Sequence, residues 1–225
     1  MSAAEKREAR TGHAELMDKV YRHQRHIYDF TRKYYLFGRD RLVDGLALKP
    51  GARVLEVGCG TARNLVRIAR RHPDARLFGL DASSQMLITA ERVLSGAAVR
   101  AKLVQAYAEH LSPSLFDEPD LFDVILFSYS LSMIPDWRAA LRAAIRALAP
   151  DGSLNIVDFG DLKGLGPLGE SLLRGWLSLF HVAPREELLS ALEGQFGARE
   201  GLVLLPGRYA FVLSCEAARL QNKSF

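Results

Sequence analysis

The run Glu56-Val57-Gly58-Cys59-Gly60-Thr61, with Asp81 closing a later apolar run, has the makings of a ligand cradle. Gly58 and Gly60 lack a β-carbon, so the backbone there can turn tightly and a ligand can approach it closely. Asp81 ends the stretch Phe78-Gly79-Leu80-Asp81. Its carboxylate can accept hydrogen bonds from a vicinal diol such as a ribose, at roughly 1.5–3 kcal/mol for each charge-assisted bond. A helix cap is the plain alternative for an Asp after a strand, but a cap alone does not account for the glycine loop ahead of it. A dinucleotide fingerprint demands a third glycine at position 63, where Arg63 stands, so the loop fails as an NAD site.

The elements that must hold these residues read as alternating strands and helices. Short β-rich runs occupy Arg53 to Val57, Arg76 to Leu80, Val99 to Val104, Asp123 to Ser128 and Ser153 to Phe159. Helical stretches lie between them, at Ala62 to Arg71, Ser83 to Leu94 and Trp137 to Leu148, the last ended by Pro150-Asp151-Gly152. Pro184 opens a further helix to about Glu193. Arg199 to Leu204 and Tyr209 to Cys215 flank Pro206-Gly207 and suggest a closing hairpin. Such an order gives a mostly parallel sheet with one antiparallel strand, and ligands of such sheets sit at the carboxyl ends of the strands where the order reverses. Ahead of the sheet, residues 13–46 repeat apolar side chains at helical spacing, with Gly38 as an interruption.

With 225 residues, about half of them apolar, the chain fits one α/β domain with a helical appendage. No apolar run is long enough to span a bilayer and residues 1–10 have no signal-peptide core, which points to a cytoplasmic protein. Cys59 and Cys215 are isolated, which argues against zinc or a disulfide framework. The net charge of +4 is modest, but Lys19, Arg22, Arg25, Arg32, Lys33, Arg39 and Arg41 crowd one stretch, interleaved with Tyr and His. A surface of this kind can meet phosphate, a carboxylate or an anionic membrane.

The loop and the carboxylate together resemble the first two motifs of class I methyltransferases, with Ala62 where the family's third glycine usually stands. The resemblance implies a Rossmann-like α/β fold: a mostly parallel seven-stranded sheet, with one antiparallel strand in a C-terminal hairpin. A helical N-terminal cap or acceptor region (1–48) would precede the methyltransferase domain (49–225). It implies S-adenosylmethionine as cofactor and S-adenosylhomocysteine as product, held by Glu56, Gly58, Cys59, Gly60, Asp81, Ala82, Met86, Ala106, Tyr107, Ala108 and Ser128. Tyr107 occupies the place of an acidic residue near the adenine, so stacking or backbone contacts would serve there. No metal is expected.

A narrower resemblance rests on Tyr21 to Leu42 and on Phe127-Ser128-Tyr129-Ser130-Leu131-Ser132-Met133-Ile134. Both are similar to the bacterial BtaB family, the diacylglyceryl-homoserine N-methyltransferases of betaine-lipid synthesis. It implies three methylations of the homoserine amine of a lipid substrate, peripheral contact with the anionic inner membrane surface, and association with the upstream homoserine transferase. Methyl transfer needs a neutral amine. An amine titrating one to two units above neutral pH loses its proton at a cost of about 1.4–2.8 kcal/mol, so a modest acceptor suffices. Tyr129, Tyr28 and His26 are candidates for that catalytic part, with Asp29 and His181 as further acceptors. Tyr21 and Tyr35 could wall the methylated cation, while Arg25 and Arg32 could fork onto the carboxylate. The apolar segment Gly164 to Phe180 is either a lid toward acyl chains or a core crossover helix.

Other functions remain open at this level: a methyltransferase for another small amine, or a non-catalytic S-adenosylmethionine-binding protein that recruits a partner to membranes. A nucleic-acid partner is not expected, because Ser128-Tyr129-Ser130 replaces the Asn/Asp-Pro-Pro-aromatic motif of base methylation.

Overall fold

The computed structural model describes residues 36–178, 185–196 and 201–220. Seven strands form one sheet: β1 (Arg53–Val57), β2 (Arg76–Asp81), β3 (Ala101–Gln105), β4 (Phe122–Ser128), β5 (Leu148–Phe159), β6 (Leu202–Leu204) and β7 (Ala210–Glu216). Their order is β3-β2-β1-β4-β5-β7-β6. β1 pairs in parallel with both β2 and β4, so the chain reverses direction across the sheet at that point. β7 runs antiparallel to β5 and to β6, and is the one antiparallel strand. The Rossmann-like methyltransferase architecture expected from the sequence is the one observed.

Helices cover both faces: α1 (Arg39–Asp44), α2 (Arg63–Arg71), α3 (Ser84–Gly96), α4 (Trp137–Ala147), α5 (Gly166–Ser178), α6 (Glu186–Gln195) and α7 (Ala217–Leu220). Side chains of each strand alternate between two cores. Leu55, Val57, Ile125 and Phe127 pack with Trp137, Leu141, Leu188 and Leu192 of α4 and α6. Val54, Leu77, Val124 and Leu126 pack with Val43, Leu65, Ile68, Ala90 and Leu94 of α1, α2 and α3. Burying each of the larger side chains contributes roughly 1.5–3 kcal/mol. Among the described residues, two helix starts have side-chain caps: Ser83 Oγ accepts the Met86 N–H at 3.3 Å, and an Asp136 carboxylate oxygen accepts the Ala139 N–H at 3.1 Å.

Two local expectations are corrected, and one left open is decided. The Pro150 turn does not stop before a new strand. β5 runs from Leu148 through it, and the pairing with β4 jumps from Phe122↔Leu148 to Val124↔Ser153, so the turn is absorbed as a bulge. The segment Gly164 to Phe180, whose form the sequence left open, is helical over Gly166–Ser178. The third strand starts at Ala101, because Val99 N–H still closes α3 onto the Leu94 carbonyl at 2.9 Å. Gly38 stands at the start of the first described helix. It adopts φ 81° at the start of α1, where a β-carbon would come within 2.6 Å of Leu205 Cδ1. The rest of the expected N-terminal helix and Pro184 lie outside the described residues.

Candidate active site

The glycine loop sits at the carboxyl end of β1, at the reversal point. Gly58 and Cys59 N–H both donate to the Leu80 carbonyl, at 2.7 and 3.0 Å, which pins the loop to the end of β2. Gly58 has φ 71°, and a β-carbon there would meet Ser130 Cβ at 2.5 Å, so only glycine lets the turn after β4 pack this close. Ala62, at the position of the missing glycine, adopts the left-handed φ of 59° and starts α2.

Asp81 is braced from both sides. Its Oδ2 accepts the Gly60 N–H at 2.8 Å and its Oδ1 accepts the Ser83 N–H at 2.9 Å. Each oxygen keeps acceptor capacity, since a carboxylate offers about four lone-pair sites. The carboxylate therefore ties the glycine loop to the start of α3 and borders the cleft beyond. This cleft encloses about 830 Å³ out to its open mouth, between Gly58, Gly60, Asp81, Met86, Tyr107 and the segment Met133-Ile134-Pro135. Ala82, Ala106 and Ala108 line it as well. Tyr107 stands edge-on to His110 at 6.3 Å between ring centres.

A second cavity, of about 640 Å³, shares Gly58 and Gly60 with the first and continues on the other side of the glycine ridge. Its wall includes Arg39, Glu56, Cys59, Asn64 and Ser128. Glu56 is buried, and its Oε1 accepts from Asn64 Nδ2 at 2.6 Å. Ser128 Oγ and Asn64 Oδ1 are buried there with no protein hydrogen-bond partner among the described residues. Burial pushes the Cys59 thiol well up, so it stays protonated and is no nucleophile at neutral pH.

The structure thus brings Gly58, Gly60, Asp81, Ala82, Met86, Ala106, Tyr107 and Ala108 to one cleft, and Glu56, Cys59 and Ser128 to its neighbour. Tyr129 also borders the first cleft, but it is almost wholly buried. Its hydroxyl donates to the Phe37 carbonyl at 2.5 Å, and burial lifts its pKa well above the usual phenol range. It is therefore a neutral phenol at physiological pH. His26, Tyr28, Asp29, His181 and the substrate-binding candidates Tyr21, Arg25, Arg32 and Tyr35 lie outside the described residues.

Sequence reasoning missed the wall made by Met133, Ile134 and Pro135, and it grouped Arg39 with the surface bases. Arg39 is buried against the second cavity, with its side chain 9% exposed. A ladder of ion pairs holds α1 there. Asp40 accepts from Arg63 at 2.8 and 3.2 Å, and Asp44 accepts from Arg67 at 2.6 and 2.7 Å and pairs with Arg71 at 2.9 Å. Hydrogen bonds from Arg63 and Arg67 hold the Asp40 and Asp44 carboxyls below the usual carboxylate range. The signal was in the sequence: acids one helical turn apart facing arginines one turn apart.

Residues 54–152 match a protein family described as a methyltransferase domain. Over these residues the chain is similar to methyltransferase domains, and its sheet has the Rossmann-like strand order of that fold. It is 30% identical over 163 residues to the ubiquinone/menaquinone biosynthesis C-methyltransferase UbiE of Syntrophotalea carbinolica, a match covering 70% of this chain and 65% of that protein. It is 24% identical over 147 residues to the demethylmenaquinone methyltransferase of Lactobacillus johnsonii, covering 65% and 57%. The chain thus spans 57–65% of the length of these two curated relatives. Among solved structures, the S-adenosylmethionine-dependent methyltransferase SibL superposes with a TM-score of 0.62 at 25% identity, covering 84% of this chain and 57% of that one.

The residues present fit S-adenosylmethionine, the methyl donor of this class. A diol-accepting carboxylate, a glycine ridge without β-carbons and two orphaned buried oxygens beyond it match a ribose, a close-passing sulfonium and an amino-acid end in turn. No described group of His, Cys, Asp and Glu is placed to hold a metal ion. No described helix is long and apolar enough to cross a membrane.

Proposed function

We propose that this domain transfers methyl groups from S-adenosylmethionine to the amine of diacylglyceryl-homoserine, in three rounds, at a membrane surface. One observation carries the lipid part of the reading. Leu168 and Leu172, one turn apart on α5, are 75% and 68% exposed, while Leu177 of the same helix is fully buried. α5 follows the carboxyl end of β5, and the clefts open at the carboxyl ends of the neighbouring strands. Exposed leucines in a pair, next to exposed Leu165, suit acyl chains better than water.

The donor, when bound, supplies an electrophilic methyl on sulfur. The chain's own part is to hold that donor by Asp81 and the glycine loop, to keep water out with Met133, Ile134 and Pro135, and to align an uncharged amine with it. Successive methylation removes the amine's protons and leaves a fixed cation, which can no longer donate hydrogen bonds.

The similarity to quinone C-methyltransferases favours a second reading, in which a carbon of a quinone precursor accepts the methyl group. Labelled S-adenosylmethionine offered with diacylglyceryl-homoserine in mixed micelles, with homoserine, or with a demethylated quinone separates the readings. Mono-, di- and trimethylated lipid is expected. Transfer to the quinone with none to the lipid would replace the first reading by the second. Liposome binding that weakens with salt is the companion expectation for the membrane contact.

A further inference from the structure

We propose that a basic hollow at the amino ends of β2 and β3 is a docking site for an acidic, extended segment of a partner protein. It lies at the opposite end of the sheet from the clefts and encloses about 1520 Å³ out to its open mouth. Its floor is made of small apolar side chains, Ala69, Ala75, Ala97, Val99 and Ala101, which are partly buried. Its rim holds four cations, Arg70, Arg76, Arg100 and Lys102, against one acid, Glu118. Arg70 comes from α2, Arg76 from the start of β2, and Arg100 and Lys102 from the entry into β3. The fold gathers them, and no local run of bases does.

Two of the four are answered within the chain. Arg76 Nη2 donates to both Glu118 oxygens at 2.7 and 2.9 Å, and Lys102 Nζ donates to Asp117 Oδ2 at 2.7 Å. The Arg70 and Arg100 guanidinium groups make no hydrogen bond or ion pair among the described residues. Arg70 stands in the last turn of α2, where a cation suits the helix dipole, but Arg100 lies in no helix. Two unanswered guanidinium forks beside an apolar floor match carboxylates and apolar side chains together. An extended segment supplies both, since its alternate side chains point to opposite faces. A polyphosphate would leave the floor unused. A nucleic-acid strand would find no ring to stack on, because Phe78, the one aromatic among the described residues lining the hollow, is buried. A flat membrane surface would not reach the floor of a concavity.

The test is fluorescence anisotropy of the full chain with a short labelled peptide of alternating Glu and Leu, and with one of alternating Glu and Ser. Inorganic polyphosphate and phosphatidylglycerol vesicles serve as competitors. The Glu-Leu peptide should bind more tightly than the Glu-Ser peptide and weaken with salt. Arg70→Gln with Arg100→Gln should lower its affinity about 5- to 30-fold, the loss of two surface ion pairs, with the melting temperature unchanged. Arg92→Gln with Arg146→Gln removes the same charge from exposed positions outside the hollow, and should leave peptide affinity within about twofold. Equal losses in the two double variants would reduce the binding to net charge and overturn the proposal. So would no binding of the peptide, equal binding of the two peptides, or stronger competition by polyphosphate or vesicles than by unlabelled peptide.

Discussion

The buried carboxylate of Asp158, at the end of β5, accepts both the backbone N–H of Ser132 at 2.9 Å and its hydroxyl at 2.6 Å. Asp158 also accepts the Phe159 N–H at 2.8 Å. One side chain thereby holds the turn Leu131–Met133, and behind it the Met133-Ile134-Pro135 wall of the cleft beside Asp81.

Desolvation raises the Asp158 pKa from 3.8 to about 6 against the pull of these donors. A carboxyl raised on folding stabilises the native state fully below pH 3.8, and that contribution is lost as pH climbs through about 6. Asp40, Asp44 and Asp161 have lowered pKa values, so their contributions fade only at lower pH. Asp158→Asn should flatten the stability profile between about pH 4 and 6. It should also cost about 1–3 kcal/mol at low pH, because the amide nitrogen faces an N–H. Urea titrations across this range measure both.

Under the proposed ribose contact, Asp81→Ala should lower S-adenosylhomocysteine affinity by at least about 100-fold, the loss of two charge-assisted bonds. The same change strips the Gly60 and Ser83 N–H groups of their acceptor, so a modest fall in melting temperature accompanies it. Calorimetry and thermal melts read the two effects separately, and unchanged affinity would remove Asp81 from the ribose site.

Gly58→Ala and Gly51→Ala form a matched pair. Both positions have φ above 70°, but only at Gly58 does a β-carbon collide, 2.5 Å from Ser130 Cβ; at Gly51 nothing lies within 4 Å. The Gly51 variant should lose about 1–2 kcal/mol from backbone strain alone, and the Gly58 variant about 1–3 kcal/mol more from overpacking. Equal losses in chemical denaturation would show that the turn after β4 yields easily.

Tyr129→Phe removes the bond to the Phe37 carbonyl while keeping the ring against Phe159, 4.7 Å between centres. A stability loss of about 1 kcal/mol is expected. Turnover should fall less than about tenfold, short of the 10²–10⁴ that a general base contributes. A larger fall in turnover, with stability unchanged, would give Tyr129 the proton-accepting part.

That Gly58, Gly60 and Asp81 come together at one cleft was legible because their signals are local. Gly58, Gly60 and Asp81 lie at strand ends whose boundaries the β-rich runs mark to within a few residues. What escaped depends on contacts between distant elements. Arg39 reads as one more base in a basic stretch, and only the Asp40 and Asp44 pairs with α2 turn it inward. The segment Gly164 to Phe180 was ambiguous because its leucines serve two faces. Leu168 and Leu172 repeat at one turn on the exposed side, Leu173 and Leu177 at one turn on the inner side, so no polar face marks the period. The Met133-Ile134-Pro135 wall follows a short 3-10 turn, which has no sequence signature beyond Pro.

The fastening of α1 is made of two kinds of bond with opposite sensitivities. Its pairs with Arg63, Arg67 and Arg71 are partly exposed, and at molar salt charges so placed attract one another over only about 3 Å. The buried Tyr129 hydroxyl on Phe37 is indifferent to ions. Rising ionic strength should thus loosen the ion pairs that run along the whole of α1 while the bond from Tyr129 to Phe37, just ahead of it, stays closed, so the electrolyte sets how firmly the short helix is pressed onto α2.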